Sequence, residues 1–224
     1  MAKQATKQHV EPTVQEALSK SEQFLSTYKN QIFYALGGIV LFFGIAFAYK
    51  KLYTEPKKEE AMGQMFLAEQ AFRDDAFALA LNGDGNILGF AQVLSEYGRH
   101  AGKAIHLYKG ICHLQLGEFE EAIKALSKYK SKDFITQARA YCCIGDAYVG
   151  VHNLKKALEY YMKAARHHDN LMAAVYLKKA AIIHEETGAP QQAIKLYEEI
   201  KEKYPQTLEA YEADKYIARL QIAQ

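Results

Sequence analysis

The sequence is poor in the residues and patterns that mark several large classes of protein. Tryptophan is absent, and only four of the 224 residues are proline, which suits a mainly helical chain. The formal net charge is +2 and no basic stripe with interleaved aromatic residues occurs, so we expect no nucleic-acid partner. Hydrophobic residues make up 50% and charged residues 24%, which is ordinary for a globular protein.

Motifs for catalysis and for metal binding are also missing. No nucleophile–base pair, phosphate-binding loop or dinucleotide fingerprint is visible. The histidine pairs His106/His113 and His167/His168 have no carboxylate or cysteine at the spacing that a metal site on a helix requires. The sequence therefore predicts a protein that is not an enzyme, with no catalytic residue, no cofactor, no metal and no small-molecule substrate.

The loop at residues 82–86 (NGDGN) has the composition of a calcium-binding loop but does not have its ligand positions. An EF-hand loop needs a glycine at its sixth position and a bidentate glutamate at its twelfth. Counted from Asn82, these positions hold Ile87 and Val93, and valine cannot bind a cation. Because Asn, Asp and Gly are turn residues, we interpret the segment as a turn.

Cysteine is scarce: Cys112, Cys142 and Cys143 are the three in the chain, so they cannot all pair within it. No Cys-x-x-Cys motif occurs, which leaves a redox or zinc site without support. We expect three small buried side chains.

What the sequence does contain is an apolar run, IFYALGGIVLFFGIAFAY, at residues 32–49. Its 18 residues carry no charge, and as a helix they span about 27 Å, close to the roughly 30 Å of a bilayer core. Tyr34 and Tyr49 lie near its ends, where amphipathic rings favour the interface. A signal peptide would be shorter and followed by small residues, and a core helix would show a polar stripe. The run predicts a single membrane-spanning helix.

The tail before the run contains apolar residues at near-helical spacing, and Thr13 with Glu16 has the pattern of a capping box. This favours a short amphipathic helix, with a disordered tail as the alternative. The charged segment EPKKEE at residues 55–60 suggests a hinge after the span.

From about residue 103 the chain repeats itself. The turn positions Gly117, His152 and Gly188 align, and they are followed by alanines spaced 35 and 36 residues apart: Ala122, Ala157 and Ala193. Small residues precede each turn (Gly110, Gly145 and Ala181), and a large residue follows each alanine four positions later (Leu126, Tyr161 and Tyr197). Period and pattern are those of a tetratricopeptide repeat, in which small residues allow two helices to approach closely.

These observations predict an all-α protein, with one N-terminal transmembrane helix followed by a tetratricopeptide-repeat α-solenoid. The predicted organisation is a tail at 1–31, a transmembrane helix at 32–53, a charged hinge at 54–60, a degenerate first repeat unit at 61–102, three repeats at 103–206 and a C-terminal capping helix at 207–224.

A solenoid of helix pairs presents a concave groove lined by the first helix of each pair, which suits an extended polypeptide or a partner helix. By repeat position the groove candidates are Leu107, Ile111, Leu114, Arg139, Asp146, Val149, Lys178, Ile182 and Glu185. The alternative is that these residues pack only against neighbouring helices.

A span followed by helical repeats resembles the YfgM-like ancillary subunit of the SecYEG translocon, in the form found in Bacteroidota. The matching segments are the span with its exit Tyr49-Lys50-Lys51, and residues 77–85, 140–148, 176–180 and 216–219. The resemblance implies a bacterial inner-membrane protein with a periplasmic repeat domain and chaperone-like handling of exported polypeptides. It implies SecYEG and periplasmic folding factors as partners, and it carries over no catalytic residue.

Charge does not agree with this orientation. Lys20 and Lys29 lie near the span on the tail side, whereas Lys50, Lys51, Lys57 and Lys58 follow it, so the positive-inside rule leans towards a cytoplasmic repeat domain. Unpaired cysteines lean the same way. We expect the periplasmic orientation on the strength of the resemblance. A scaffold of another envelope complex, for cell division or wall synthesis, is the alternative function, and an enzyme with an unfamiliar helical site is a third.

Overall fold

The structure is a computed structural model that describes the backbone of residues 14–222 and the side chains of Phe24 and of residues 26–222. All regular elements in this range are helical. They are α1 (Val14–Tyr49), a π-helical segment (Lys50–Thr54), α2 (Glu55–Arg73), α3 (Phe77–Asn82), α4 (Phe90–Tyr97), a 3-10 turn (Gly98–Ala101), α5 (Ala104–Gln115), α6 (Phe119–Leu126), α7 (Phe134–Gly150), α8 (Leu154–Ala165), α9 (Met172–Glu186), α10 (Pro190–Lys203) and α11 (Leu208–Ile222).

The chain divides into two compact units, Met1–Glu55 and Pro56–Gln224. The first contains α1, whose described side chains are almost all exposed. The helical stretch Ser26–Arg73 is long and apolar enough to cross a membrane, with a mean hydropathy of 2.1 over an 18-residue window. The helix reaches back to Val14 in the predicted tail, while Thr13 of the predicted capping box lies outside the described residues.

The charged segment predicted as a hinge is helical. Residues 50–54 form a π-helical turn, and α2 begins at Glu55, six residues before the predicted repeat unit. Pro56 follows the π-helical turn within the helical stretch Ser26–Arg73, and the widened turn accommodates a residue that lacks an N–H. The charged side chains therefore lie on the exposed surface of a helix. The prediction of a hinge was wrong because a run of charged residues is compatible with an exposed helix as well as with a loop.

In the second unit, α5/α6, α7/α8 and α9/α10 form the predicted helix pairs, and α11 packs on α10. A Cβ added to Gly110 would lie 2.4 Å from Cγ of Leu126, and one on Gly145 would lie 2.6 Å from the ring of Tyr161. The partners are the large residues that follow the repeat alanines. The predicted fold class is therefore confirmed. The glycines allow the two helices of a pair to come into contact, which is the role that the sequence predicted for small residues at these positions.

The three turns between paired helices have one geometry. Gly117, His152 and Gly188 have φ angles of 77°, 57° and 70°, so a left-handed residue occupies the same repeat position each time. In each turn the N–H of the third residue after the helix donates to a carbonyl five residues back, at 2.8 Å (Glu118 to His113, Asn153 to Tyr148, Ala189 to His184). The three positions aligned in the sequence therefore have the same backbone conformation in the structure, and in the second turn His152 takes the place of glycine.

The first part of the second unit, α2 to α4, has a different core. Phe72, Phe90 and Tyr108 meet with ring centroids 5.1–6.3 Å apart. The loop between α3 and α4 turns at Asp84, whose carboxylate accepts the backbone N–H groups of Asn86 (2.9 Å) and Ile87 (3.1 Å). These two hydrogen bonds lower the pKa of Asp84. The carboxylate therefore stabilises its own turn.

Candidate protein-binding groove

The groove candidates on α5 contribute mainly to the core. Ile111 is only 8% exposed, and it packs with Ala122, Leu126 and Ile144. Leu107 and Leu114 are half-buried against the same cluster. Ile111 is therefore not available to a ligand, which corrects its assignment to the groove. An apolar residue on the first helix of a repeat can face either the groove or the neighbouring helix. Both faces have apolar residues at helical spacing, so the sequence of α5 does not show which one contains Ile111.

Arg139 and Val149 stand on α7. Arg139 is exposed, and its charge acts on Tyr108 of α5, Cys143 of α7 and Tyr176 of α9. Val149 is half-buried and packs against the C-terminal core.

Asp146 of α7 is held by its neighbours. It accepts a hydrogen bond from the hydroxyl of Tyr161 at 2.7 Å, and it forms a salt bridge with Lys179 of α9. Burial, followed by this carboxylate, raises the pKa of Tyr161. The carboxylate thus joins a helix pair to the pair that follows.

Lys178 and Glu185 of α9 pair with the C-terminal helix. Lys178 forms a salt bridge with Glu212, and Glu185 pairs with Arg219. Glu185 also accepts the hydroxyl of Tyr197 at 2.7 Å. These two candidates fix α11 in place. Ile182, which stands between them on α9, is 40% exposed.

Of the nine candidates, Arg139 and Ile182 are thus the exposed ones, while Leu107, Leu114 and Val149 offer part of their surface. Sequence reasoning missed the partners of the charged candidates. The partners of three candidates lie close to one repeat length further along the chain, 33 or 34 residues away: Asp146–Lys179, Lys178–Glu212 and Glu185–Arg219. Arg166–Glu199 and Asp169–Tyr204, outside the candidates, have similar separations of 33 and 35 residues. Opposite charges spaced by one repeat are the signal that would have found most of them.

The cysteines are structural, as expected. Cys112, Cys142 and Cys143 are free and buried. Burial raises the pKa of Cys112 and of Cys142 to about 12, and that of Cys143 to about 11. Because the thiolate is the reactive form, these thiols are inert at neutral pH.

Stacked antiparallel helix pairs with a small-residue crossing point define an α-solenoid, the class to which this domain belongs. The family model for the tetratricopeptide repeat matches residues 90–134 and 144–206, so these residues form tetratricopeptide repeats. Repeats of this kind bind protein partners, and the domain is a protein–protein interaction module.

The fold is similar to two crystal structures of the protein MamA. One has a TM-score of 0.55 at 20% identity and covers 72% of this chain and 86% of that chain. The other has a TM-score of 0.53 at 20% identity, with 69% and 92% covered. At this identity the likeness is one of fold. No curated protein matches the sequence.

Proposed function

We propose that this protein is a single-pass protein of the bacterial inner membrane that serves protein export as an accessory subunit of the SecYEG translocon. Its repeat domain lies in the periplasm. There it handles emerging polypeptides in a chaperone-like way, together with periplasmic folding factors, and it performs no catalysis. The observation that carries the proposal is the order of parts, a long apolar helix followed by tetratricopeptide repeats. The sequence resemblance supplies the translocon.

The groove is the proposed site for the polypeptide. Arg139 gives it a cation and Ile182 an exposed apolar surface, with Leu107, Leu114 and Val149 adding half-buried apolar atoms. An extended chain offers backbone carbonyls and apolar side chains, so this mixture suits it without demanding one sequence.

Co-purification of the full-length protein from detergent tests the proposal. Translocon subunits are expected to accompany the wild type, and Arg139→Glu combined with Ile182→Asp is expected to reduce the capture of exported polypeptides. A matched control is Lys155→Glu with Lys195→Glu, two exposed positions on the second helices of their pairs. If the wild type brings down no translocon subunit, the export assignment is wrong. Retrieval of cell-division or wall-synthesis proteins in their place would establish the alternative scaffold.

A further inference from the structure

One cleft of the repeat domain is lined by cations. It has a volume of about 530 Å3 and lies between the start of α5 and the chain that leaves α6. Its charged and titratable lining consists of Arg99, Lys103, His106, Lys128 and Lys130, with no carboxylate among the lining residues.

The cations of this cleft are not neutralised by salt bridges with the described residues. None of Arg99, Lys103, Lys128 and Lys130 forms a salt bridge with any carboxylate in the part of the chain whose side chains are described. Burial, then the charges of Lys128 and Lys109, lower the pKa of His106, as expected beside positive charge that nothing neutralises. The N-terminus of α5, 12 residues long and without a side-chain cap, adds its partial positive charge at Lys103.

The same edge of the domain exposes apolar side chains. Paired helices are antiparallel, so the first helices all begin on the edge where the second helices end. The exposed residues at these starts are Phe134 (54%), Ile135 (57%), Leu171 (51%), Met172 (46%) and Leu208 (67%). The rings of Phe134 and His168 stack with their centroids 4.5 Å apart, so the start of α7 contacts the loop between α8 and α9.

Two carboxylates also lie at this edge, and each keeps its negative charge while it binds a neutral group of the protein. The Asp133 carboxylate accepts the N–H of Thr136 at 2.7 Å, and Asp169 accepts the hydroxyl of Tyr204 at 2.8 Å. Against these two carboxylates the cleft holds four cations, Arg99, Lys103, Lys128 and Lys130, on the same edge as the apolar side chains. This combination suits the surface of an anionic bilayer.

We propose that this edge docks on an anionic phospholipid surface, with headgroup phosphates in the cleft of Arg99, Lys103, Lys128 and Lys130 and with Phe134 and Ile135 in the interface. Charge complementarity selects phosphate, and the apolar row distinguishes a lipid surface from a soluble anion. The apolar helix in the same chain keeps the domain near a bilayer, which raises the effective concentration of headgroups. The proposal does not depend on the translocon.

The test uses the full-length protein in nanodiscs of phosphatidylcholine, with and without an equal part of phosphatidylglycerol. A bimane label is placed at Ile135→Cys, and a control label at Lys155→Cys, at the opposite edge near the start of α8. The native thiols are buried, so labelling selects the introduced one. Quenching of bimane by spin-labelled lipid then reports docking.

Quenching is expected at position 135 but not at 155, and more strongly with phosphatidylglycerol. Since each lysine near an anionic surface contributes roughly fivefold to binding, Lys128→Glu with Lys130→Glu should lower the ratio of docked to undocked protein by about tenfold or more. The control Lys155→Glu with Lys195→Glu should leave it unchanged. Absence of quenching at 135 in phosphatidylglycerol, equal quenching at both labels, or no response to the Lys128/Lys130 reversal would overturn the proposal. Protection of position 135 from a soluble quencher without lipid quenching would point to a protein contact and would equally overturn it.

Discussion

Aromatic rings stack in both parts of the repeat domain, as Phe90 and Tyr108 do in one and Tyr197 and Tyr216 in the other, but the two parts differ in their ion pairs. In residues 56–132 the helices meet through aromatic rings, with Phe90 stacked on Tyr108 at 5.1 Å. Ion pairs there, such as Lys124–Glu121 and His113–Glu118, join residues close together in the chain. In residues 133–222 charged and hydroxyl groups one repeat apart bind each other, as Asp146 and Lys179 do.

This difference explains which part of the domain has cations that are not paired with a carboxylate. In the C-terminal part three cations are paired with carboxylates of a neighbouring unit: Arg166 with Glu199 of the next helix pair, Lys179 with Asp146 of the preceding pair, and Lys178 with Glu212 of α11. In the N-terminal part aromatic packing joins the helices, and the cations of the cleft are left for another molecule. Ion pairs between successive units fix the register of the C-terminal part, whereas the cations of the cleft form no salt bridge with the described residues and leave a cationic surface on the N-terminal part.

The largest expected effect tests whether rings or polar groups dominate the C-terminal part. Tyr197 is fully buried, stacks on Tyr216 at 5.1 Å and donates to Glu185. Tyr197→Ala should lower the free energy of unfolding by about 3–5 kcal/mol, and Tyr197→Phe by only about 1 kcal/mol. Urea denaturation measures both. Tyr211→Ala, at an 81% exposed position, is the control. A Phe variant as unstable as the Ala variant would mean that the polar link, not the ring, holds the joint.

A smaller effect is expected where paired helices cross. In Gly145→Val the new side chain meets the ring of Tyr161, which a Cβ alone would approach to 2.6 Å. Overpacking of this kind should cost about 1–3 kcal/mol. Gly63→Ala in α2, where nothing lies within 4 Å of the added Cβ, should be stabilising by up to about 1 kcal/mol through helix propensity. If both variants behave alike, the close approach at Gly145 is not a requirement of the fold.

The ion pairs predict a dependence of stability on pH. The hydrogen bond from Arg166, with a further contribution from Lys203, lowers the pKa of Glu199 to about 2. A carboxyl whose pKa is lower in the folded protein stabilises it above the unfolded pKa, and this stability is lost as pH falls from about 4.5 to about 2. In Glu199→Gln the free energy of unfolding should therefore fall by about 1 kcal/mol less than in the wild type over this pH range. The effect is this small because Arg166 is partly exposed and solvent screens the pair.

Thermal unfolding between pH 6 and pH 2.5 measures this effect. Glu198→Gln is the control, since Glu198 is exposed and forms no salt bridge with the side chains of residues 26–222. An acid response of Glu199→Gln that equals the wild type would show that the pair with Arg166 contributes nothing.

The smallest effect concerns the turns. His152 has a φ of 57°, where its two counterparts are glycine. His152→Gly should raise the free energy of unfolding by about 0.5–1 kcal/mol, because glycine adopts this conformation without steric cost. His152→Ala is the comparison and should gain nothing. Equal behaviour of the Gly and Ala variants in urea denaturation would mean that the backbone strain has no energetic consequence.

The repeat fold was predictable because it rests on local size. Gly110, Gly145 and the large residues Leu126 and Tyr161 are recognisable in the sequence, and they touch as expected. The turn positions were found for the same reason, since Gly117 and Gly188 mark a backbone conformation.

The site was less predictable because it depends on how successive pairs stack. Whether Ile111 faces the groove or the next helix follows from that stacking and not from its position on α5. Lys178 and Glu185 are recognisable as polar first-helix residues, but their partners lie on α11, which does not resemble a repeat helix. The cationic cleft combines residues of three segments that share no motif.

The most direct test of the account is the side of the membrane on which the repeats lie. The lysines at both ends of the apolar run favour neither side strongly, and the proposed function requires the periplasm. Alkaline phosphatase fused after Gln224 should be active, and green fluorescent protein at the same position, exported through the Sec pathway, should be dark. A fluorescent fusion together with an inactive phosphatase would place the repeats in the cytoplasm and contradict the export function.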